Sequence, residues 1–124
     1  MATLDLDNNQ AKFQIRAYKP GWIQVNDQQL TNSLIITPEE LITNWQPSSI
    51  SDLTTESFAP IIKLKPDIFL IGTGSKLVLL PLDLYGSLIN LGIGVEIMDT
   101  RAACHTFNAL AAENRRVAAG LIIR

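Results

Sequence analysis

The sequence predicts an α/β fold of three layers, in which a mixed central sheet is preceded by a β-rich N-terminal layer. Two observations support this prediction. The N-terminal third contains short segments of alternating apolar and polar residues joined by turns, which is typical of half-buried strands. The C-terminal half contains continuous apolar β-segments that alternate with helical segments, and such alternation requires crossover connections within a parallel or mixed sheet.

In the N-terminal layer, residues 13–18 alternate, Lys19-Pro20-Gly21 supplies a turn and residues 22–25 resume the alternation, which predicts a β-hairpin. A further strand is expected over 30–37. Thr37, Pro38 and Glu40 resemble a helix start with a capping box, but residues 41–45 alternate like a strand, so that Leu41–Trp45 fits either a helix or a strand. A short helix is expected over 54–64.

The second half predicts three strands and two helices. Continuous apolar runs at 67–72 and 93–98 are typical of strands buried on both faces, and residues 116–123 form the last strand. Helices are expected over 82–92 and 100–114. A single domain is expected over residues 1–124, with 1–11 as a flexible tail, because no repeat or linker interrupts the chain.

Composition excludes several classes of protein. Hydrophobic residues make up 47% and charged residues 18% of the chain, which argues against disorder. One cysteine and one histidine allow neither an internal disulfide nor a zinc site of several cysteines. A net charge of −2 without a lysine-rich run lacks the electrostatic footprint of nucleic-acid binding. We see neither a signal sequence nor an apolar run of the roughly 20 residues that span a membrane, and we expect a cytoplasmic protein without cofactor or metal.

The last helix contains the only cysteine and the only histidine, side by side. At about 100° per residue, its apolar stripe and its opposite face separate them, so Cys104 is expected in the core and His105 in solvent. A reactive thiol enzyme at Cys104 is the less favoured interpretation, because adjacency along a helix does not place a base against the sulfur. Asn114 tolerates a left-handed conformation and is expected to end this helix. The stripe comprises Ala103, Phe107 and Leu110, flanked by Cys104 and Ala111; the opposite face carries Arg101, His105, Asn108 and Ala112.

A candidate ligand site is predicted from topology. Ligands of open α/β sheets gather at the carboxyl ends of parallel strands, where connections diverge. If the strands at 67–72 and 93–98 are adjacent and parallel, their ends converge on one crevice. Arg101 in the first turn of a helix is disfavoured by the helix dipole. Either Asp99 neutralises it, or the first turn surrounds an anion. The candidate residues are Gly72, Thr73, Gly74, Asp99, Thr100 and Arg101; no catalytic constellation is evident.

Several segments carry a family resemblance, with the C-terminal third the most specific. The segments LTTESF, LIGTGSK and LGIGVEIMDTRAACHTFNALAAENRRVAAGLI resemble the Mth-like family of uncharacterised function. That family includes the adipogenesis-associated Mth-like protein and the mitochondrial assembly factor three of respiratory complex I. Where the family usually carries glycine, this chain has Asn114, and both residues suit a helix end. The resemblance implies a three-layer α/β fold and a role without catalysis or cofactor.

These features leave two hypotheses about function. The favoured one, which the resemblance implies, is a non-catalytic interaction or assembly-factor-like protein with protein partners in respiratory or membrane-protein assembly. The alternative is a small-ligand or anion-binding module, potentially an enzyme, that uses the crevice of Gly72–Gly74 and Asp99–Arg101. A homo-oligomer is also compatible with the sequence, because Trp22 and Trp45 could lie on an exposed apolar surface of the N-terminal layer.

Overall fold

The computed structural model describes residues 11–123, and their regular structure consists of eight strands, three α-helices and two 3₁₀ turns. The predicted tail lies outside the described residues except for Ala11, which packs against the core. The strands are β1 (Ile15–Lys19), β2 (Trp22–Val25), β3 (Gln28–Leu30), β4 (Leu34–Ile36), β5 (Leu41–Ile42), β6 (Ile68–Gly72), β7 (Gly94–Met98) and β8 (Val117–Leu121). The helices are α1 (Ala59–Leu64), α2 (Leu82–Asn90) and α3 (Thr100–Ala112), and the 3₁₀ turns are Ile50–Asp52 and Thr55–Phe58.

The central sheet has the strand order β5-β4-β8-β6-β7. Strands β6, β7 and β8 are parallel, whereas β4 runs antiparallel to both β5 and β8. The predicted mixed sheet is therefore confirmed. The order also means that β6 connects to β7 through α2, whereas β7 connects back across β6 to β8 through α3.

Two hydrophobic clusters cover opposite faces of this sheet. On one face, Leu70 and Leu121 pack with Phe107 of α3 and with Ile23 of the three-stranded antiparallel sheet β1-β2-β3. On the other face, sheet residues such as Phe69 pack with the side chains of α1 and α2. The three predicted layers are confirmed, and so is the β-rich N-terminal layer.

Helix α3 has a side-chain cap at its N-terminus and a left-handed residue at its C-terminus. The Asp99 carboxylate caps its start by accepting a hydrogen bond from the Ala102 backbone N–H at 2.8 Å. At its end, Asn114 takes the predicted left-handed conformation with φ 61°. The Asn114 N–H donates to the Ala111 carbonyl and the Arg115 N–H to the Leu110 carbonyl, which is the hydrogen-bond pattern of a Schellman motif.

The predicted hairpin is confirmed as β1 and β2, but the predicted strand over 30–37 is wrong in extent. Leu30 ends β3 in the small sheet, and the chain re-enters a strand only at Leu34, in the central sheet. The three residues 31–33 between them carry the chain from one sheet to the other. These residues, Thr31, Asn32 and Ser33, form a polar run that marks the break between the two strands.

Of the two alternatives left open after Thr37, the helix does not form, although the local chemistry of a helix start is present. The Thr37 hydroxyl accepts hydrogen bonds from the Glu39 and Glu40 backbone N–H groups, as a cap does. The Thr37 N–H in turn donates to the Glu40 carbonyl, which closes a turn. The segment Leu41–Trp45, which the sequence left open, contains the two-residue strand β5, and this strand pairs with β4. The helix expected over 54–64 is confirmed as a 3₁₀ turn followed by α1.

Two burial expectations are corrected by the sheet order. Strand β7 was expected to be buried on both faces, but it is the edge strand, and its residues are half-buried or exposed. Trp45 does not lie on an exposed N-terminal surface, because the residue is 6% exposed and packs in the cluster on the α1 and α2 side.

Within residues 11–123, no helix has the length and hydropathy needed to cross a bilayer.

Candidate functional site

The two strand ends named by the sequence lie side by side. Strands β6 and β7 are adjacent and parallel, with Gly72 opposite Met98. The Thr73 backbone N–H continues the pairing by donating to the Met98 carbonyl at 2.9 Å. The candidate residues Gly72–Gly74 and Asp99–Arg101 therefore meet at one edge of the sheet.

The polar groups at this edge are used to join the strand ends. Thr100 is fully buried; its N–H donates to the Gly74 carbonyl, and its hydroxyl accepts a hydrogen bond from the Gly74 N–H, both at 2.8 Å. The same hydroxyl donates to the Ile122 carbonyl at 2.6 Å. Thr100 thus links the ends of β6 and β8 to the start of α3.

Close packing around Gly72 leaves little space between these ends. A Cβ atom at Gly72 would lie 2.9 Å from the Thr100 hydroxyl oxygen and 3.0 Å from a Leu121 methyl carbon. Glycine is therefore required here for close approach of α3 to the sheet. The geometry assigns this group of residues a structural role, while ligand binding at the strand ends stays a prediction.

Thr73 organises the loop that comes after β6. Its hydroxyl donates to the Lys76 carbonyl at 2.6 Å and accepts a hydrogen bond from the Val78 N–H at 3.1 Å. The Thr73 side chain is buried, so these two bonds connect the loop to the interior of the protein. The loop leads directly into α2 and contains a run of exposed aliphatic side chains.

Four of the seven large hydrophobic side chains that are exposed among residues 11–123 belong to this run. Leu79 is 83% exposed, Leu82 63% and Leu77 55%, and Val78 is also exposed. We call residues 77–82 the apolar segment. Contiguous exposed apolar side chains of this kind mark interaction surfaces in proteins. No sequence prediction singled out this run; the signal was the absence of polar alternation between Lys76 and Asp83.

Arg101 points away from the strand ends towards the N-terminal layer. Its guanidinium carbon lies 5.3 Å from the centroid of the Tyr18 ring, a cation–π arrangement. No ion pair joins it to Asp99, whose carboxylate caps α3. Of the six candidate residues, Arg101 is the one whose charged side chain is exposed.

Cys104 and His105 lie on different faces of α3, as predicted. Cys104 is 5% exposed in the core, whereas His105 is exposed. Burial raises the pKa of the Cys104 thiol to about 12; the Arg101 charge lowers it and the Asp99 charge raises it by smaller amounts. A thiol with this pKa is protonated at neutral pH and is a poor nucleophile.

Across residues 11–123, no three His, Cys, Asp or Glu side chains are grouped so that they could hold a metal ion.

Asn108 has a structural role that the sequence did not reveal. Its side-chain oxygen accepts a hydrogen bond from the Ile15 N–H at 3.1 Å, and its side-chain nitrogen donates to the Ile15 carbonyl at 2.7 Å. Because β1 is an edge strand of the small sheet, this amide takes the place of a neighbouring strand. The polar face of α3 thereby fastens the N-terminal layer to the core.

Comparison with known proteins identifies the family. The model of the family described as protein of unknown function (DUF498/DUF598) matches residues 15–122. The chain belongs to this family. The match covers both sheets and all three helices, so the fold described above is the fold of the family domain.

Relatives of known name and structure agree with this assignment. NADH dehydrogenase [ubiquinone] 1 alpha subcomplex assembly factor 3 of Danio rerio is 33% identical over 87% of this chain, which spans only 63% of that relative's length. A 13 kDa major membrane protein of Francisella tularensis is 30% identical over 98% of this chain and 100% of its own length. A crystal structure of a Bordetella parapertussis protein superposes with a TM-score of 0.85 at 34% identity, over 90% of this chain and 96% of that one.

Proposed function

We propose that this protein is a non-catalytic assembly factor that binds a protein subunit of a respiratory NADH dehydrogenase through the apolar segment. The observation that carries the proposal is the exposure of Leu77 and Leu79 in a loop that the Thr73 hydroxyl holds by two hydrogen bonds, together with the exposure of Leu82 at the start of α2. A fixed apolar surface loses little conformational entropy on binding, and exposed leucines gain hydrophobic free energy when a partner covers them.

The relatives supply the kind of partner. The Danio rerio relative is named as an assembly factor of an NADH dehydrogenase subcomplex, and the names of the Rattus norvegicus and Drosophila melanogaster relatives are the same. The present chain spans about 60% of the Danio and Rattus relatives, so the transfer of this role is part of the proposal. The chemistry at the strand ends supports a role without catalysis, because those polar groups bond to one another.

A cytoplasmic location at the membrane face belongs to the same proposal. A lone buried cysteine suits a reducing compartment. The apolar segment begins beside Lys76 and contains no acidic residue before Asp83. The segment is thus flanked by one cation and one anion, and any affinity for a lipid interface would come from its aliphatic side chains.

The Francisella relative favours direct membrane binding as a second candidate, because it is named a membrane protein and matches over its entire length. In that case the apolar segment would insert into the lipid interface. Flotation with phosphatidylglycerol vesicles tests it. Co-flotation of the wild-type protein that is lost in Leu79→Ser/Leu82→Ser supports the candidate, and absence of the wild-type protein from the vesicle fraction rejects it.

The assembly-factor proposal is tested in native cells from which the gene is deleted. We expect the amount of assembled NADH dehydrogenase complex in the membranes to fall, and the wild-type gene to restore it. Leu79→Ser/Leu82→Ser should fail to restore it, although the variant folds, because both side chains are exposed. Ile62→Ser/Leu91→Ser is the matched control, since these exposed residues line a different surface, near Asp67.

Three results decide the matter. Recovery with the control and not with the apolar-segment variant supports the proposal. Full recovery with the apolar-segment variant excludes this surface as the binding site. A normal amount of assembled complex in the deletion strain excludes the assembly role itself.

A further inference from the structure

A surface cavity of about 290 Å³ lies between β1 and α3, away from the apolar segment. Four consecutive residues of β1, from Ile15 to Tyr18, form one wall, and the side chains of Arg101 and His105 contribute to the other. The cavity shares only Arg101 with the candidate residues of the strand ends. Neither the hydrogen bonds at the strand ends nor partner binding at the apolar segment accounts for this cavity.

A bulge in β1 shapes the wall of the cavity. Ile15 pairs with Val25 and Ala17 pairs with Gln24, so Arg16 is an extra residue without a partner on β2. Successive side chains of a regular strand point to opposite faces, whereas a bulge redirects the chain. The bulge explains how consecutive residues of β1 line one cavity, with Arg16 among them.

The charged side chains that line the cavity are arginines, and the Asp99 carboxylate nearby acts on Tyr18 and Cys104 without lining it. Arg16 and Arg101 contribute two guanidinium groups, His105 adds an imidazole, and none of the lining residues carries a carboxylate. Within the described chain, no hydrogen bond or ion pair occupies either guanidinium group, and Arg101 is held only by its stacking on the Tyr18 ring. Two guanidinium groups with free donors are suited to bind carboxylate or phosphate oxygens.

An independent observation comes from Tyr18. Its side chain is 9% exposed, and its hydroxyl is buried without a hydrogen-bond partner among residues 11–123. Buried hydroxyl groups in native proteins nearly always have a partner, and exceptions point to a water, an ion or a functional site. Tyr18 lines the cavity, and the Arg101 guanidinium lies over its ring.

We propose that this cavity binds a small oxyanion ligand, a carboxylate or a phosphate, through Arg16, Arg101 and the Tyr18 hydroxyl. The two arginines neutralise the charge from opposite walls, and the hydroxyl donates to an oxygen at the base. Binding would join β1 to α3 at the same place as the Asn108 side chain. The site does not include the apolar segment, so it stands independently of the assembly role.

The test is a titration of the full chain followed by amide NMR, with inorganic phosphate and with succinate as separate probes, at ionic strength matched with sodium chloride. We expect saturable shifts for residues 15–18 and 101–108 with at least one probe. A response to phosphate alone or to succinate alone identifies the chemical class of the ligand. No saturable shift with either probe overturns the proposal.

Variants separate a built site from general charge attraction. Arg16→Ala and Arg101→Ala should each weaken binding roughly tenfold, the effect of losing one charge-assisted hydrogen bond. Arg115→Ala is the control, because this exposed arginine lies beyond the end of α3 and outside the cavity. Equal weakening by Arg115→Ala would show nonspecific attraction and overturn the proposal.

Tyr18→Phe tests the hydroxyl without disturbing the ring. We expect weaker anion binding, and without added anion a variant at least as stable as the wild type, because an unpartnered buried hydroxyl is removed. Unchanged affinity in Tyr18→Phe would remove the hydroxyl from the proposed ligand set.

Discussion

The side chain of Asn108 forms hydrogen bonds with both backbone polar groups of Ile15, at 3.1 Å to its N–H and 2.7 Å to its carbonyl. These residues are 93 positions apart in the sequence. One amide thus connects the last helix to the first strand, and it occupies the edge of β1 where a neighbouring strand would otherwise lie.

Asn108→Ala should therefore destabilise the protein. It leaves the Ile15 N–H and carbonyl without their protein partner in a partly buried position, and we expect a loss of about 2 kcal/mol in the free energy of unfolding. Urea denaturation measures it. Asn90→Ala, at an exposed position at the end of α2, is the control and should change stability by less than about 0.5 kcal/mol. Equal effects of the two variants would contradict the account.

Two glycines should respond to alanine with opposite signs. Gly72→Ala places a Cβ 2.9 Å from the Thr100 hydroxyl oxygen and 3.1 Å from the Thr100 Cα, and we expect a loss of about 1–3 kcal/mol. At Gly86 within α2, a Cβ meets nothing within 4 Å, and alanine should stabilise the helix by up to about 1 kcal/mol. Thermal unfolding compares the two; a stabilising Gly72→Ala would show that α3 is not packed against β6 as described.

The Thr73 hydroxyl should control the order of the apolar segment. Thr73→Val keeps the branched shape but removes the bonds to Lys76 and Val78, and Thr73→Ser keeps the hydroxyl. We expect amide hydrogen exchange of residues 75–79 to accelerate about five- to thirtyfold in the valine variant, as for a local loss of about 1–2 kcal/mol. Exchange that is the same in the valine variant and the wild type would show that the loop is held by other contacts.

The raised pKa of Cys104 predicts a pH dependence. Burial raises this pKa from its usual value of 9.0 to about 12, so above pH 9 the unfolded chain releases a proton that the folded chain keeps. The thiol's contribution to stability is therefore present below pH 9 and is lost as the pH rises towards 12. Cys104→Ala should lose less stability than the wild type between about pH 8 and about pH 10 in urea denaturation.

Tyr18 contributes in the same direction, because burial also raises the pKa of its phenol. The Cys104→Ala comparison isolates the thiol. Parallel pH profiles of the variant and the wild type would contradict the buried thiol, as would fast labelling of Cys104 by a thiol reagent in the native protein.

Much of the fold could be predicted from the sequence, because the C-terminal half is locally consistent. The run at β6 is continuous and apolar, the stripe of α3 has helical spacing, and Asn114 ends that helix. These local signals agreed with the tertiary structure. The adjacency of the parallel strands β6 and β7 was only a condition of the sequence argument, and the structure meets that condition.

The sequence-based expectations failed where contacts with residues distant in sequence determine burial and secondary structure. Strand β7 has the composition of a buried strand, but its place at the sheet edge depends on the return of the chain to β8 on the other side of β6. Residues 37–40 contain cap chemistry, yet pairing with β4 makes Leu41 and Ile42 a strand instead of a helix. The role of Asn108 likewise depends on a strand at the other end of the chain.

Sequence reasoning named residues at the strand ends as a candidate site but did not show the contacts that these residues make. Sequence reasoning could place Gly74 and Thr100 at one edge, because both come directly after parallel strands. It could not show that their polar groups bond to each other, or that Arg101 turns to the Tyr18 ring. Those contacts depend on side-chain directions that alternation and periodicity do not specify.

The central claim, that the apolar segment binds a subunit of a respiratory complex, is tested most directly by a photo-crosslinking amino acid placed at Leu79 in native cells. The account predicts a crosslink to a subunit of NADH dehydrogenase from this position, and none from the same probe placed at the exposed Leu91. Equal crosslinking from both positions, or crosslinks at Leu79 that never include such a subunit, would contradict it.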